Sequence, residues 1–254
     1  MANYESETFV RTFARGLKVI EVMGQNLARM NLSEISMASD LPRTVVRRFL
    51  LTLIELGFVK TDSKVYWLTP NVLRLGLAYL YSLPFWREAQ MSLDELFSII
   101  NQSSAVSVLD GDEIVYIHRV HAKKILAMSP IIGSRLPAYA VSMGRVLLAG
   151  LSEQNLANYF QHAALKKFTQ KTVIDLKELK RIIIQVRKDG YAWVDGELDE
   201  SISGMAVPVR DKTGEVVAAI NVSLPYGLFT EEVALKKFLP YLLQAASKLK
   251  AKTY

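Results

Sequence analysis

Apolar residues recur at helical spacing through the first seventy positions and at strand spacing through much of the remaining chain. Over residues 13–23, Phe13, Leu17, Ile20 and Met23 share one stripe, with Arg15, Lys18 and Glu21 off it, which predicts a short amphipathic helix. A loop containing Gly24 and Asn31 comes next. Ser33 suits the N-cap of a second helix that turns Ile35, Ala38 and Leu41 toward a core. Leu41-Pro42 then breaks the chain, because the residue before a proline avoids the helical region. Pro42 suits the first turn of a third helix that runs to about Leu56 and stops at Gly57. Val46, Phe49, Leu50 and Leu53 line one side of it, and Arg43, Thr44, Arg47 and Arg48 another. Residues 58–60 and 65–68 are β-prone runs around the polar turn Thr61-Asp62-Ser63-Lys64, which reads as a hairpin. Helix, helix, tight turn, helix, hairpin is the order of a winged helix-turn-helix, here over residues 9–70.

That order bears on chemistry. A helix with arginines toward its N-terminal half and an apolar strip behind fits the major groove of duplex DNA, where arginine pairs with guanine O6 and N7. Arg43, Thr44, Arg47 and Arg48 are the candidates on that helix. Lys60 and Lys64 on the hairpin suit phosphates or the minor groove, and Arg15 and Ser33 complete the expected DNA-contacting set. The same arginines suit a solvated basic face; the helix order and the hairpin favour DNA. Residues 1–70 hold nine basic and seven acidic residues, so recognition turns on placement rather than on excess charge.

Residues 71–81 continue as a helix, with Leu73, Leu77 and Leu80 in register, up to Ser82-Leu83-Pro84. A domain boundary is expected there, with 71–83 as a linker helix and 84–254 as a second domain. Residues 85–100 are helical again, with Trp86, Leu93, Leu96, Phe97 and Ile100 at core spacing; such a helix packs against a twin subunit or within its own domain. The period then shortens. Residues 105–109 and 114–119 flank Asp110-Gly111-Asp112, a hairpin signal. Residues 125–129 are a candidate strand and 142–151 a helix. Asp175 opens a helix with Leu176, Leu179, Ile183 and Val186 on one face, ending at Gly190. Residues 191–196, 205–209 and 216–223 are strand-like. A final helix from about Thr230 carries Val233, Phe238, Leu242 and Leu249 on one side. The second domain is therefore expected to be α+β with a largely antiparallel sheet.

Composition removes several classes. Half of the 254 residues are apolar and 22% are charged, which suits one or two cored domains and not a disordered chain or a fibre. The absence of cysteine excludes a disulfide scaffold, thiolate zinc, iron–sulfur ligation and a thiol nucleophile. No apolar run approaches the ~20 residues of a membrane span, and no secretory signal is visible, so a soluble cytoplasmic protein is expected. The net charge of +6 is compatible with a nucleic-acid partner without requiring one. His118 and His121 lack a third ligand at usable spacing, so neither a metal nor another cofactor is expected. The acidic run Asp195, Glu197, Asp199, Glu200 reads as a solvated loop, with Glu200 where a calcium loop needs glycine. There is no nucleophile elbow or phosphate loop, and no catalytic residue is expected.

Seven motifs stand in order: FARGL at 13–17, LSEI at 32–35, PRTVVRRFL at 42–50, LGFV at 56–59, GY at 190–191, AVPVRD at 206–211 and GEVVAAINVS at 214–223. Together they resemble the IclR-type bacterial transcriptional regulators over nearly the whole length. GSRLPAYA at 133–140 followed by SMGRVLLA at 142–149 is similar to the branch governing protocatechuate and β-ketoadipate catabolism. The resemblance implies a homodimer or homotetramer, an operator bound by the winged helix, and a pathway metabolite bound in a GAF-like C-terminal domain. In that branch activation is commoner than repression.

The resemblance also implies an effector pocket at Ser142, Met143, Asp195, Gly204, Asn221 and Ser223. Asn221 and Ser223, two apart on a strand, point to one face and need polar partners there. A carboxylate effector, whether an aromatic or a dicarboxylic acid, needs a cation or a cluster of donors. Arg119 and Arg135 are the candidates, though each also suits a surface or interface salt bridge. Tyr139, Tyr191 and Trp193 suit the wall of an aromatic site or plain core. Two other functions compete: a small-acid-processing enzyme with a fused DNA-binding domain, and a constitutive architectural DNA-binding protein.

Overall fold

The computed structural model describes residues 8–25, 29–122 and 130–250. The strand expected at 125–129 lies outside them. The chain divides into two compact units, Met1–Ser82 and Leu83–Tyr254.

In the first unit, α1 (Arg11–Gln25), α2 (Leu32–Ser39) and α3 (Arg43–Glu55) enclose one apolar cluster. A small antiparallel sheet flanks it, with β1 (Met30–Asn31) on β3 (Val65–Leu68) and β3 on β2 (Val59–Thr61). The hairpin register Val59↔Leu68, Lys60↔Trp67, Thr61↔Tyr66 makes it the wing. α1 carries two apolar stripes, and spacing alone does not choose between them. The buried one is Val19, Val22 and Met23, while Phe13 and Leu17, expected inside, are exposed.

The cap of α2 is Asn31, not Ser33. Asn31 Oδ1 accepts from the Ser33 and Glu34 N–H groups at 2.9 and 3.1 Å, and the Glu34 carboxylate accepts from Asn31 N–H at 2.7 Å. This reciprocal box satisfies three otherwise orphan donors, which a serine two positions later does not do. Shifting the start shifts the face: Ser39, rather than Ala38, is buried, and its hydroxyl donates to the Ile35 carbonyl at 2.6 Å. α3 buries Val46, Leu50 and Leu53. Gly57 turns the chain into the wing at φ +77°, a conformation that favours glycine. After the wing comes α4 (Leu73–Ser82).

The second unit is built on a six-stranded antiparallel sheet. Its strands are β4 (Ser103–Asp110), β5 (Glu113–Val120), β6 (Arg135–Pro137), β7 (Ala192–Asp195), β8 (Ile202–Arg210) and β9 (Val216–Pro225), in the spatial order β6-β5-β4-β9-β8-β7. α5 (Trp86–Ile100) and α10 (Leu239–Lys250) pack together and cover one face. α6 (Ser142–Gly150) lies across the other, with α8 (Leu176–Asp189) packed on it. α7 (Glu153–His162), capped by Ser152, is a helix that the spacing does not announce.

The β4–β5 hairpin turns through Gly111 at φ +62° and Asp112, which explains the glycine. The single final helix expected from Thr230 is two: α9 (Glu231–Lys237) stops at Phe238, and α10 begins beside Pro240, whose ring supplies no N–H to continue the first helix. Val233 and Leu176, both expected inside, are exposed.

Candidate functional site

Arg43, Thr44, Arg47 and Arg48 are all exposed on α3, because the buried stripe at Val46, Leu50 and Leu53 leaves them the opposite side. Among the described residues none of the three guanidinium groups is paired with a carboxylate, so their charge is available to phosphates or bases. Lys60 and Lys64 are exposed on the wing. Asp62 shapes its tip: Oδ1 accepts from the Lys64 and Val65 N–H groups, both at 3.1 Å. Those two bonds hold its carboxyl below the usual carboxylate range. Arg29, absent from the expected set, lies over the Trp67 ring at 4.0 Å and 3.8 Å from Asp62. Arg15 is exposed on α1, and Ser33 in the first turn of α2.

In the second unit a cavity of about 580 Å³ opens between the sheet and the N-terminus of α6. Arg119, Arg135, Ser142, Met143, Gly204, Asn221 and Ser223 line it. Asn221 and Ser223 alternate onto the α6 face of β9, while Ile220 and Val222 point into the opposite core. Asn221 Oδ1 accepts from the Ala105 N–H at 3.0 Å, and its amide donates to Ser223 Oγ at 3.2 Å. Gly204 stands opposite Ser223 in the sheet, and a Cβ there would come within 2.9 Å of Ser142 Oγ. Met143 is held by Ser107, whose hydroxyl donates to its sulfur at 3.2 Å.

Asp195 does not line the cavity. Its neighbour Val194 faces the cavity, so strand alternation sends Asp195 to the other side. There its carboxylate accepts from Ser203 Oγ at 2.5 Å and pairs with Lys171 at 3.3 Å. The aromatic wall also differs from expectation. Tyr139 is buried with its hydroxyl bonded to the Lys166 backbone, Tyr191 donates to Glu231, and Trp193 shares the face of Asp195. Tyr116 is the ring in the wall, with Leu136, Val141, Val194, Leu198 and Ile202. Burial raises the Tyr116 hydroxyl pKa above its ordinary value.

The acidic run contains one residue that is not solvated. Glu197 is buried and lines the cavity, paired with Arg145 of α6. Neither was expected to have a role; an arginine in the middle of the otherwise apolar SMGRVLLA was the available signal. His118, on the opposite face of β5, lies edge-on to Trp86 at 5.6 Å, and burial lowers its pKa. Among the described residues no group of three or more histidine and carboxylate side chains is placed to hold a metal, and no helix is long and apolar enough to cross a membrane.

The pattern of the IclR helix-turn-helix domain matches residues 12–63, and that of the bacterial transcriptional regulator IclR C-terminal domain matches residues 77–251. The chain belongs to the IclR family of bacterial transcriptional regulators. It is 39% identical to the Pca regulon regulatory protein of Pseudomonas putida over 242 residues, 95% of this chain and 83% of that one. It is 30% identical to the transcriptional regulator KdgR of Escherichia coli K12, over 99% of this chain and 97% of that one. It is also 30% identical to the p-hydroxybenzoate hydroxylase transcriptional activator of Acinetobacter baylyi, over 96% and 92%. The crystal structure of a transcriptional regulator from Rhodococcus sp. RHA1 superposes with a TM-score of 0.86 at 42% identity, covering 96% of this chain and 98% of that one. As an IclR regulator the chain couples a DNA-binding helix-turn-helix to a small-molecule-binding domain, and it is not an enzyme.

Proposed function

We propose that this IclR regulator is an activator of genes for aromatic-acid catabolism, switched by a small carboxylate of the protocatechuate and β-ketoadipate group. It works in the cytoplasm as a homodimer or homotetramer. The observation that carries this reading is the cavity: an apolar wall around a few convergent polar groups, with ample room for a small organic acid. The names of the Pseudomonas putida and Acinetobacter baylyi relatives support the aromatic-acid class. The coupling is linkage: the effector binds one arrangement of the assembly more tightly than another, and so does the operator. Residues 71–83 would relay the difference as a change in spacing between the two recognition helices.

A melting-temperature screen with protocatechuate, 4-hydroxybenzoate and β-ketoadipate tests this, since a ligand that binds only the folded state raises the transition. The acid that raises it should also change the affinity for a promoter fragment. Ser223→Ala should abolish that response and leave effector-free DNA binding intact. A protein whose melting and DNA affinity ignore all three acids is not regulated by this class.

A further inference from the structure

Not every charge lining the cavity is paired, and the one cation without a carboxylate partner defines the ligand. Three ionised side chains besides Arg119 line it. Arg135 is satisfied: Nε donates to Glu113 at 2.6 Å and Nη1 to Asp110 at 2.8 Å. Glu197 is satisfied by Arg145 at 2.6 Å. Asp199 is exposed, and it accepts from the N–H and hydroxyl of Ser201. Arg119 is different. It is half-buried, its guanidinium lies 5.7 Å over the Tyr116 ring, and its Nη1 donates to the Pro130 carbonyl at 3.3 Å. Among the described residues no carboxylate pairs with it.

A partly desolvated guanidinium with one carbonyl and a ring face for company favours an anion beside it. We infer that Arg119 anchors the single carboxylate of a monoanionic aromatic effector, while the charge of Arg135 is already taken up by its own two acids. This rests on the carboxylate-effector reading above. The ring lies against Tyr116 and the apolar wall. Ser142, with no hydrogen-bond partner for its hydroxyl among the described residues, and Ser223 serve a neutral polar substituent. Among the described residues lining the cavity no second unpaired cation is present, so a second carboxylate in the ligand is desolvated there without a charge partner.

The test is a set of isosteres read by calorimetry and melting temperature on the full chain. 4-Hydroxybenzoate is expected to bind. 4-Hydroxybenzamide, the same shape without the charge, and terephthalate, with a second carboxylate in place of the hydroxyl, should each bind at least about tenfold more weakly. Arg119→Gln should lose about tenfold or more for 4-hydroxybenzoate, and Arg119→Lys should retain part of it. Undisturbed promoter binding by Arg119→Gln shows that the variant is folded. Equal binding of the benzamide, equal or tighter binding of terephthalate, or an Arg119→Gln affinity equal to that of the parent overturns the inference and leaves the regulator reading standing. No response to any acid by the parent protein removes both.

Discussion

Arg145 Nη2 donates to Glu197 Oε2 at 2.6 Å inside the second unit, with side-chain exposures of 3% and 9%. Arg145 Nε also donates to the Tyr139 carbonyl at 2.9 Å, and Glu197 accepts from the Val173 N–H at 3.1 Å. The backbone carbonyl of Glu197 accepts from the Thr172 hydroxyl at 2.6 Å. One ion pair thus ties α6, the strap at 169–173 and the loop after β7 to each other at the edge of the cavity.

Removing one partner strands the other charge. Arg145→Met or Glu197→Leu should each cost about 3–5 kcal/mol, whereas the double variant should cost clearly less than their sum. Urea unfolding followed by tryptophan fluorescence measures all three. Single variants that lose less than about 1 kcal/mol would show that water reaches the pair.

On the DNA side, Arg47→Ala should weaken operator binding by ~1–3 kcal/mol at fixed salt if that side chain reads a base, with the loss depending on operator sequence. Lys60→Ala should weaken all sequences about equally and flatten the salt dependence. An unchanged dissociation constant for Arg47→Ala removes it from the base-reading set.

Gly204→Ala places a methyl 2.9 Å from Ser142 Oγ. The expected result is a loss of effector affinity of about tenfold with the fold intact, because the serine hydroxyl must swing into the space the ligand uses. Combining it with Ser142→Ala relieves the clash and should recover stability but not affinity. Full affinity in Gly204→Ala would place the ligand away from this floor.

His118 is packed against Trp86 with Nδ1 buried and without a partner among the described residues, and burial lowers its pKa, partly opposed by Asp94. A histidine whose folded pKa lies below its unfolded value binds fewer protons when folded. Stability is therefore complete above the unfolded pKa and falls as pH drops through that value toward the folded one. The melting temperature should decline between about pH 7.5 and 5.5, and His118→Gln should flatten that decline. Parallel pH profiles for the two proteins would assign the loss to other groups.

Asn221→Ala should impair the effector response, because its amide donates to Ser223 Oγ, and should also weaken the fold. Its Oδ1 is the acceptor for the Ala105 N–H, so the variant leaves a buried donor unpaired at a cost of about 1–3 kcal/mol. Thermal unfolding of Asn221→Ala beside Ser223→Ala separates the two roles. Equal stability of the two would mean that water replaces the amide.

The winged helix is legible in the sequence because it is local. Helical spacing at Val46, Leu50 and Leu53 places Arg43, Arg47 and Arg48 outside without reference to any distant residue. In the same way Asn221 and Ser223 share a face by strand period alone. The cap at Asn31 is not legible, because two candidate side chains stand within three positions and only the returning Glu34 carboxylate decides between them.

The element order of the first unit, the basic side of α3 and the polar pair on β9 follow from spacing in the sequence. Which cation faces the cavity does not. In β5, Ser107 pairs with Tyr116 while Val106 pairs with His118, so Ile117 is an extra residue. That bulge puts Arg119 on the same face as Tyr116, three positions apart, where strict alternation would oppose them. Likewise the two acids on Arg135 and the one on Arg145 come from positions 22 to 52 residues away in sequence. Charge pairing across such separations is set by the packing of the sheet and helices, and no local spacing encodes it.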